Sequence, residues 1–229
     1  MWLRSFRRSI RRRRTRLNPP MTFEPKLIVS ASEVLGEHRE RAPVDADQIA
    51  RGVELILSGI GEDPSRPGLV ETPRRVAESF SDLVAGLGVD PVSVLEPLAD
   101  ERGTGLIMMR SIPIASLCEH HLLPFTGTAA VAYLPGTNGL ITGLSKLARL
   151  MDVLSRRLQV QERLVREAAD ALEQALSPRG VFVLIEAEHT CVSLRGARKP
   201  GSVTVTTEAR GVFADEPAAR AELSALARG

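Results

Sequence analysis

Cys118, Glu119, His120 and His121 occupy four consecutive positions, the densest run of reactive side chains in the 229-residue sequence. A thiolate and an imidazole three residues apart can both reach one borderline-soft divalent ion such as Zn²⁺ from a single turn. Two ligands do not complete a site. The other cysteine, Cys191, closes Glu188-His189-Thr190-Cys191, so both cysteines and three of the four histidines cluster in two short stretches. That pairing points to one composite centre, in either of two forms. A metal with three protein ligands keeps a position for water, whose pKa falls toward ~7. A closed Cys₂His₂ site, with His120 or His189 as fourth ligand, would only hold structure, and spacing alone favours neither form.

The elements around these residues follow from periodicity. Alternation predicts a strand from Val181 to Cys191 with Val181, Val183, Ile185, Ala187, His189 and Cys191 on one face, so that His189 and Cys191 share a pocket at its end. Leu106 to Met109 and Ile112 to Ile114 read as strand leading into the Cys118 turn, Thr128 to Leu134 as the returning strand, and Ser202 to Thr207 as an antiparallel partner. Ile49, Val53, Ile56, Leu57 and Ile60 recur at helical spacing after Asp45 and stop at Gly59, Gly61 and Pro64. Thr72 as cap and Pro73 at the first position open a second helix, striped by Val76, Phe80, Leu83, Val84 and Leu87. After a polar connection over residues 90 to 104, Ser145 caps a third helix bearing Leu147, Leu150, Met151 and Leu154. Residues 156 to 161 interrupt the pattern. A fourth helix turns Leu164, Ala168, Ala171, Leu172 and Ala175 inward and ends at Pro178 and Gly180, and an Ala-rich helix over residues 215 to 228 closes the chain. Helices, strands, two helices and strands again make an α+β protein with an antiparallel sheet.

A 43% hydrophobic content builds a core for one domain with a tail. The net charge of +2 conceals an asymmetry: residues 1 to 20 carry eight arginines and no acid, and subtracting them leaves −6 from Met21 onward. Such a run attracts phosphates. Pro19-Pro20, the lack of an apolar stretch of signal-peptide length and Met21 instead read residues 1 to 20 as a disordered extension or an upstream start. With the aperiodic residues 21 to 44, this gives an Arg-rich disordered extension over residues 1–44 and one domain over 45–229. The acidic remainder argues against a nucleic-acid face, and no run approaches the ~18 apolar residues that span a bilayer. A cytoplasmic protein without nucleic-acid or membrane partners is expected, its cysteines being ligands or free thiols.

Four motifs in order, Ser116-x-Cys-Glu-His-His121, Gly143-Leu-Ser-Lys-Leu-Ala-Arg149, Gln159-Val-Gln-Glu-Arg163 and His189-x-Cys191-x-x-x-Arg195-Gly196, resemble GTP cyclohydrolase I over residues 47 to 228. The resemblance implies the tunnelling fold, an antiparallel sheet with helices packed on one face, assembled as a toroidal homodecamer with active sites between subunits. It implies zinc-dependent hydrolysis and rearrangement of GTP to formate and 7,8-dihydroneopterin triphosphate, the entry to folate or pterin synthesis. Cys118, His121 and Cys191 are then the zinc ligands, and His120 and His189 move protons, a task suited to side chains that titrate near neutrality. Glu162 takes the guanine-reading position, where a carboxylate accepts from N1 and N2 together and adenine mispairs, with Gln161 in support. Ser145, Lys146 and Arg149, in the anion-attracting first turns of a helix, join Arg195 and Arg75 as triphosphate contacts. Lys146 is one of three lysines against 27 arginines.

Two departures stand out. Glu78 occupies a position where many relatives carry a phosphate-binding lysine, and Glu208-Ala-Arg210 replaces small or apolar residues at an expected strand edge. A non-catalytic tunnelling-fold purine or pterin binder, the alternative, would lose metal ligands or the guanine carboxylate, all of which this chain retains.

Overall fold

The computed structural model describes residues 44–99 and 105–228, so the extension expected over residues 1–44 lies outside it but for Val44. Helix α1 (Ala46–Gly59) starts where Asp45 accepts from the Gln48 N–H at 2.8 Å, the carboxylate cap its type favours. It packs on α2 (Thr72–Leu83). Thr72 lies one position inside α2 with Glu71 at the cap, and Pro73 fills the first turn, where a missing N–H costs nothing. Only part of the α1 stripe is covered: Leu57 is buried, whereas Ile56 and Ile60 are 63% and 71% exposed.

The following elements are β1 (Leu98–Ala99), β2 (Ile107–Cys118), β3 (Pro124–Leu134), β4 (Leu140–Ile141), α3 (Leu144–Ser155), β5 (Leu158–Gln159), α4 (Gln161–Leu176), β6 (Gly180–His189), α5 (Thr190–Ser193), β7 (Val203–Gly211), α6 (Val212–Asp215) and α7 (Pro217–Arg228). The main sheet runs β5-β2-β3-β6-β7, antiparallel throughout except that β5 lies parallel to β2. The expected connection over residues 90 to 104 contributes β1, which pairs with β4. Two residues each are too few for a period to reveal them.

Helices α3 and α4 cover one face, where Leu147, Leu150, Met151, Leu164 and Leu172 meet Ile112, Val131, Val183 and Ile185. Gly143 takes the α3 cap position, leaving Ser145 in the first turn. On the opposite face Ala130, Ala132, Phe182 and Leu184 pack with Phe213 and Leu223, so the last helices cover part of the second face too. This explains why β6 is apolar on both sides. Alternation resolves one face of a half-exposed strand, and β6 is a buried one.

β3 and β6 approach closely at Gly127, where an added Cβ would stand 1.9 Å from the Glu186 carbonyl oxygen and 2.6 Å from Ala187 Cα. Backbone on both counts cannot swing aside. Gly127→Ala is expected to destabilise the protein by about 2–3 kcal/mol, a fall in melting temperature of roughly 4–12 °C for a chain of this size. An unchanged melting curve would refute the close approach.

Candidate metal centre and active site

The reactive residues gather where β2 ends and β3 and β6 begin and end. The Cys118 N–H donates to Leu123 O at 2.9 Å and the Cys118 carbonyl accepts from the Leu122 N–H at 2.8 Å. Leu122 adopts a φ of +54° to close this turn. Phe125, just beyond it, stands opposite Ser116 on one side and His189 on the other. The strand expected to run through Cys191 stops at His189, because Thr190 to Ser193 wind into a helical turn whose Thr190 hydroxyl donates to Pro124 O at 2.6 Å. Cys191 therefore reaches the centre from α5, not from a strand face shared with His189.

The ligand atoms of Cys118, His121 and Cys191 lie within 4.8 Å of one another, with Cys118 Sγ 3.9 Å from His121 Nδ1. Donors around a tetrahedral zinc stand about 3.6–3.8 Å apart, so two thiols and an imidazole here fit a single such ion. Burial, then the neighbouring Cys118 thiol, push the Cys191 thiol above its usual range. A cation between two crowded sulfurs would reverse that shift. Among the described residues no fourth ligand joins the group, which leaves the closed Cys₂His₂ form unmade. His120 remains largely exposed on the turn, its Nδ1 4.0 Å from Cys118 Sγ.

His189 is held on two sides. Its ring stacks on Phe125 at a centroid distance of 4.5 Å and an interplanar angle of 7°, and its Nε2 lies 2.8 Å from Gln161 Oε1. Gln161 is 1% exposed. The two hydrogens of the amide nitrogen are shared among Ile185 O, Thr204 O and the Thr206 hydroxyl, each 3.0 Å away. Two carbonyls can only accept, so they fix the amide's orientation and turn Oε1 toward the imidazole. His189 must then donate from Nε2, and its neutral ring presents the Nδ1 lone pair. Burial lowers the His189 pKa and the Glu162 carboxylate opposes it less strongly, which favours the neutral ring.

Arg195 stands at the rim of the metal group, its Nη1 2.7 Å from His121 Nε2. Glu162 sits exposed in the first turn of α4 beside Gln161. The remaining predicted contacts lie elsewhere in the chain. Ser145 and Lys146 lie in the first turn of α3 and Arg149 in the second, whereas its other end leads into β5 beside Cys118; the rise from Lys146 to Ser155 is about 14 Å. Lys146 Nζ binds Glu96 Oε1 at 2.5 Å. That hydrogen bond and charge, with Arg149 adding less, lower the Glu96 carboxyl pKa. Arg75 is exposed on α2, and Glu78 pairs with Arg74.

Phe125 and the amide of Gln161 were not legible as supports of His189. Nothing in a sequence period distinguishes a ring stacked on an imidazole from an ordinary core phenylalanine.

The class comes first: an α+β protein whose sheet end carries an open three-ligand metal group beside a held imidazole has the equipment of a metal-dependent hydrolase. Comparison supplies the family. The sequence profile of GTP cyclohydrolase I matches residues 49–228. GTP cyclohydrolase 1 of Corynebacterium glutamicum (strain R) is 48% identical over 195 residues, 85% of this chain and 100% of that protein. GTP cyclohydrolase 1 of Mycobacterium tuberculosis (strain ATCC 25177 / H37Ra) is 53% identical over 178 residues, 78% and 88% of the two chains. A solved archaeosine synthase QueF-Like in the apo form aligns with a TM-score of 0.38 at 15% identity over 46% of this chain and 93% of its own, too weak a likeness to bear on the fold. The chain belongs to the GTP cyclohydrolase I family, and its enzyme class is that of a GTP cyclohydrolase.

If the Gln161 amide is spent as described, Gln161→Glu places a carboxylate against two carbonyl oxygens in a buried site. The expected cost is about 1–3 kcal/mol, read as a lower melting temperature. An unaltered melt would mean that the three donor bonds are not made.

Proposed function

We propose that this chain converts GTP to 7,8-dihydroneopterin triphosphate and formate at a zinc centre formed by Cys118, His121 and Cys191. The observation that carries the reading is the open three-ligand group with His189 held beside it. A zinc ion bound there supplies Lewis acidity and a water activated near neutral pH, suited to attack at C8 of the purine. His189, with Nε2 tied to Gln161, offers Nδ1 to accept or return a proton, and His120 on the exposed turn serves as the second proton carrier. Opening the five-membered ring requires protons at N7 and later at the ribose oxygen, so two carriers suit the task. Glu162 accepts from guanine N1 and N2. Gln161 supports base reading indirectly, by fixing His189 and the first turn of α4.

The triphosphate contacts are assigned to Ser145, Lys146 and Arg149 at the α3 start, with Arg195 and Arg75. Because α3 separates Lys146 from the metal group within one chain, the reading calls on two copies per site, one giving the metal half and the other the phosphate half. A homo-oligomer, a decamer by family resemblance, meets that demand. The described helices include none long and apolar enough to cross a membrane, and the two thiols are unpaired, as suits the cytoplasm.

Base reading and chemistry separate experimentally. Wild-type protein with about one zinc per chain should yield a fluorescent pterin after incubation with GTP and oxidation. Glu162→Gln places a donor against a donor and should weaken GTP binding at least tenfold, about 1.4 kcal/mol, with zinc retained. His189→Ala should bind GTP and zinc yet form no product. Normal binding by the first variant, or normal product from the second, would remove that residue from its role.

The composite site has its own test. Lys146→Ala and His189→Ala should each be nearly inactive alone. Mixed oligomers refolded or co-expressed at equal amounts should recover roughly a quarter of wild-type activity, as random head-to-tail pairing of the two halves dictates. Mixtures that stay inactive would place both halves in one chain.

A further inference from the structure

Glu119 lies within the metal turn, between Cys118 and His120, and is tied once to β5 and once to α4. Its N–H donates to Gln159 O at 3.0 Å, and its carboxylate receives Arg163 Nη2 at 2.5 Å. The same guanidinium donates from Nε to Gln159 Oε1 at 2.9 Å and from Nη2 to Leu158 O at 2.8 Å. Gln159, only 1% exposed, is itself fixed by donating to Leu154 O at 3.1 Å and Glu167 Oε2 at 2.9 Å. One planar fork thus joins three pieces of backbone: the metal turn, the β5 segment that pairs with Cys118, and the first turn of α4. That first turn also holds Gln161, which orients His189, and Glu162.

The two side chains are about one-third exposed, so the ion pair contributes little as a net stabiliser. Its geometry is the stronger feature. A guanidinium bonded to three oxygens in fixed directions sets spacing and orientation in a way a mobile ammonium cannot. The cluster is not an isolated surface pair, because one partner of Arg163 is a buried amide and the other, Glu119, follows the ligand Cys118 and lies two residues before the ligand His121.

We infer that Glu119 and Arg163 are positioning residues that couple the metal group to the guanine-reading turn of α4, so that loosening either weakens both metal and nucleotide binding. The inference rests on the function proposed above for what Glu162 reads, but its metal arm does not.

The test is a double-mutant cycle on the full-length assembled protein, comparing wild type, Glu119→Ala, Arg163→Ala and the double variant. Equilibrium competition with a zinc chelator gives metal affinity, and titration of the zinc-saturated protein gives GTP affinity. Each single variant should lose about 10–100-fold in zinc affinity, the usual penalty for removing a group that orients a ligand. The double variant should stay within about threefold of the worse single one, because both changes break the same link. GTP should bind more weakly to the zinc-saturated variants. Arg163→Lys, which keeps the charge and is the milder change if the alanine variants fail to assemble, should fall between wild type and Arg163→Ala on both measures. Losses that multiply in the double variant, or a lowered melting temperature with unchanged zinc affinity, would overturn the coupling. Failure of wild-type protein to produce pterin from GTP would instead refute the proposed function, and the chelator measurement would still decide whether the metal turn depends on Arg163.

Discussion

Strand register is the constraint on which the centre depends. Phe125 faces Ser116 across one pair of strands and His189 across the other, so residues more than seventy positions apart arrive at one sheet end. The Cys118 turn and the α5 turn then project side by side, the latter fastened by Thr190 to the Pro124 carbonyl. A slip of one residue would send every side chain of a strand to the other face and part the two cysteines. The apolar faces of β3 and β6, buried on both sides, are what make such a slip costly.

Buried amides perform the fine adjustment that register cannot. Gln159 and Gln161 lie two residues apart at the junction of β5 and α4, each 1% exposed, and neither points a free group at solvent. Gln159 holds Arg163 against the metal turn, whereas Gln161 holds His189 while bonding the backbones of β6 and β7. Glutamine suits both places because one end donates and the other accepts, so a single side chain can join unlike partners. An unsatisfied amide there would cost about as much as several surface contacts provide, which makes the arrangement all or nothing.

How much of this was legible follows from the length of each signal. Helices α3 and α4 carry stripes over three or more turns and were readable to within a residue or two, whereas α2 ends at Leu83, four residues before Leu87, where its stripe was expected to stop. The pairing of Cys118, His121 and Cys191 was readable from residue type and from the four motifs together. The two-residue strand β5 appeared only as an interruption over residues 156 to 161, because no period exists in so short a piece. The alternation through Cys191 misled at its last step: it continued across Thr190, where the backbone instead turns into α5. Gln161 read as a support for Glu162, and a sequence does not reveal that its amide is bonded to Ile185, Thr204 and Thr206. Lys146 marks a different limit. Its motif resembles a nucleotide-contacting one, yet in the structure its partner is Glu96, a pairing fifty residues apart that no sequence period announces.

Glu208 and Arg210 lie away from the metal end of the sheet. Arg210 pairs across β6 with Val181, at the far end of the sheet from His189, and its guanidinium binds Glu208, Asp170 and Glu173 at 2.6, 2.8 and 3.2 Å. The substituted Glu208 and Arg210 therefore tie the outer strand β7 to α4, the helix whose first turn bears Gln161 and Glu162. β7 leaves Val203 and Val205 exposed along the sheet's open edge, and a bare edge invites pairing with another chain. Glu78 pairs with Arg74 on α2, beside the exposed Arg75.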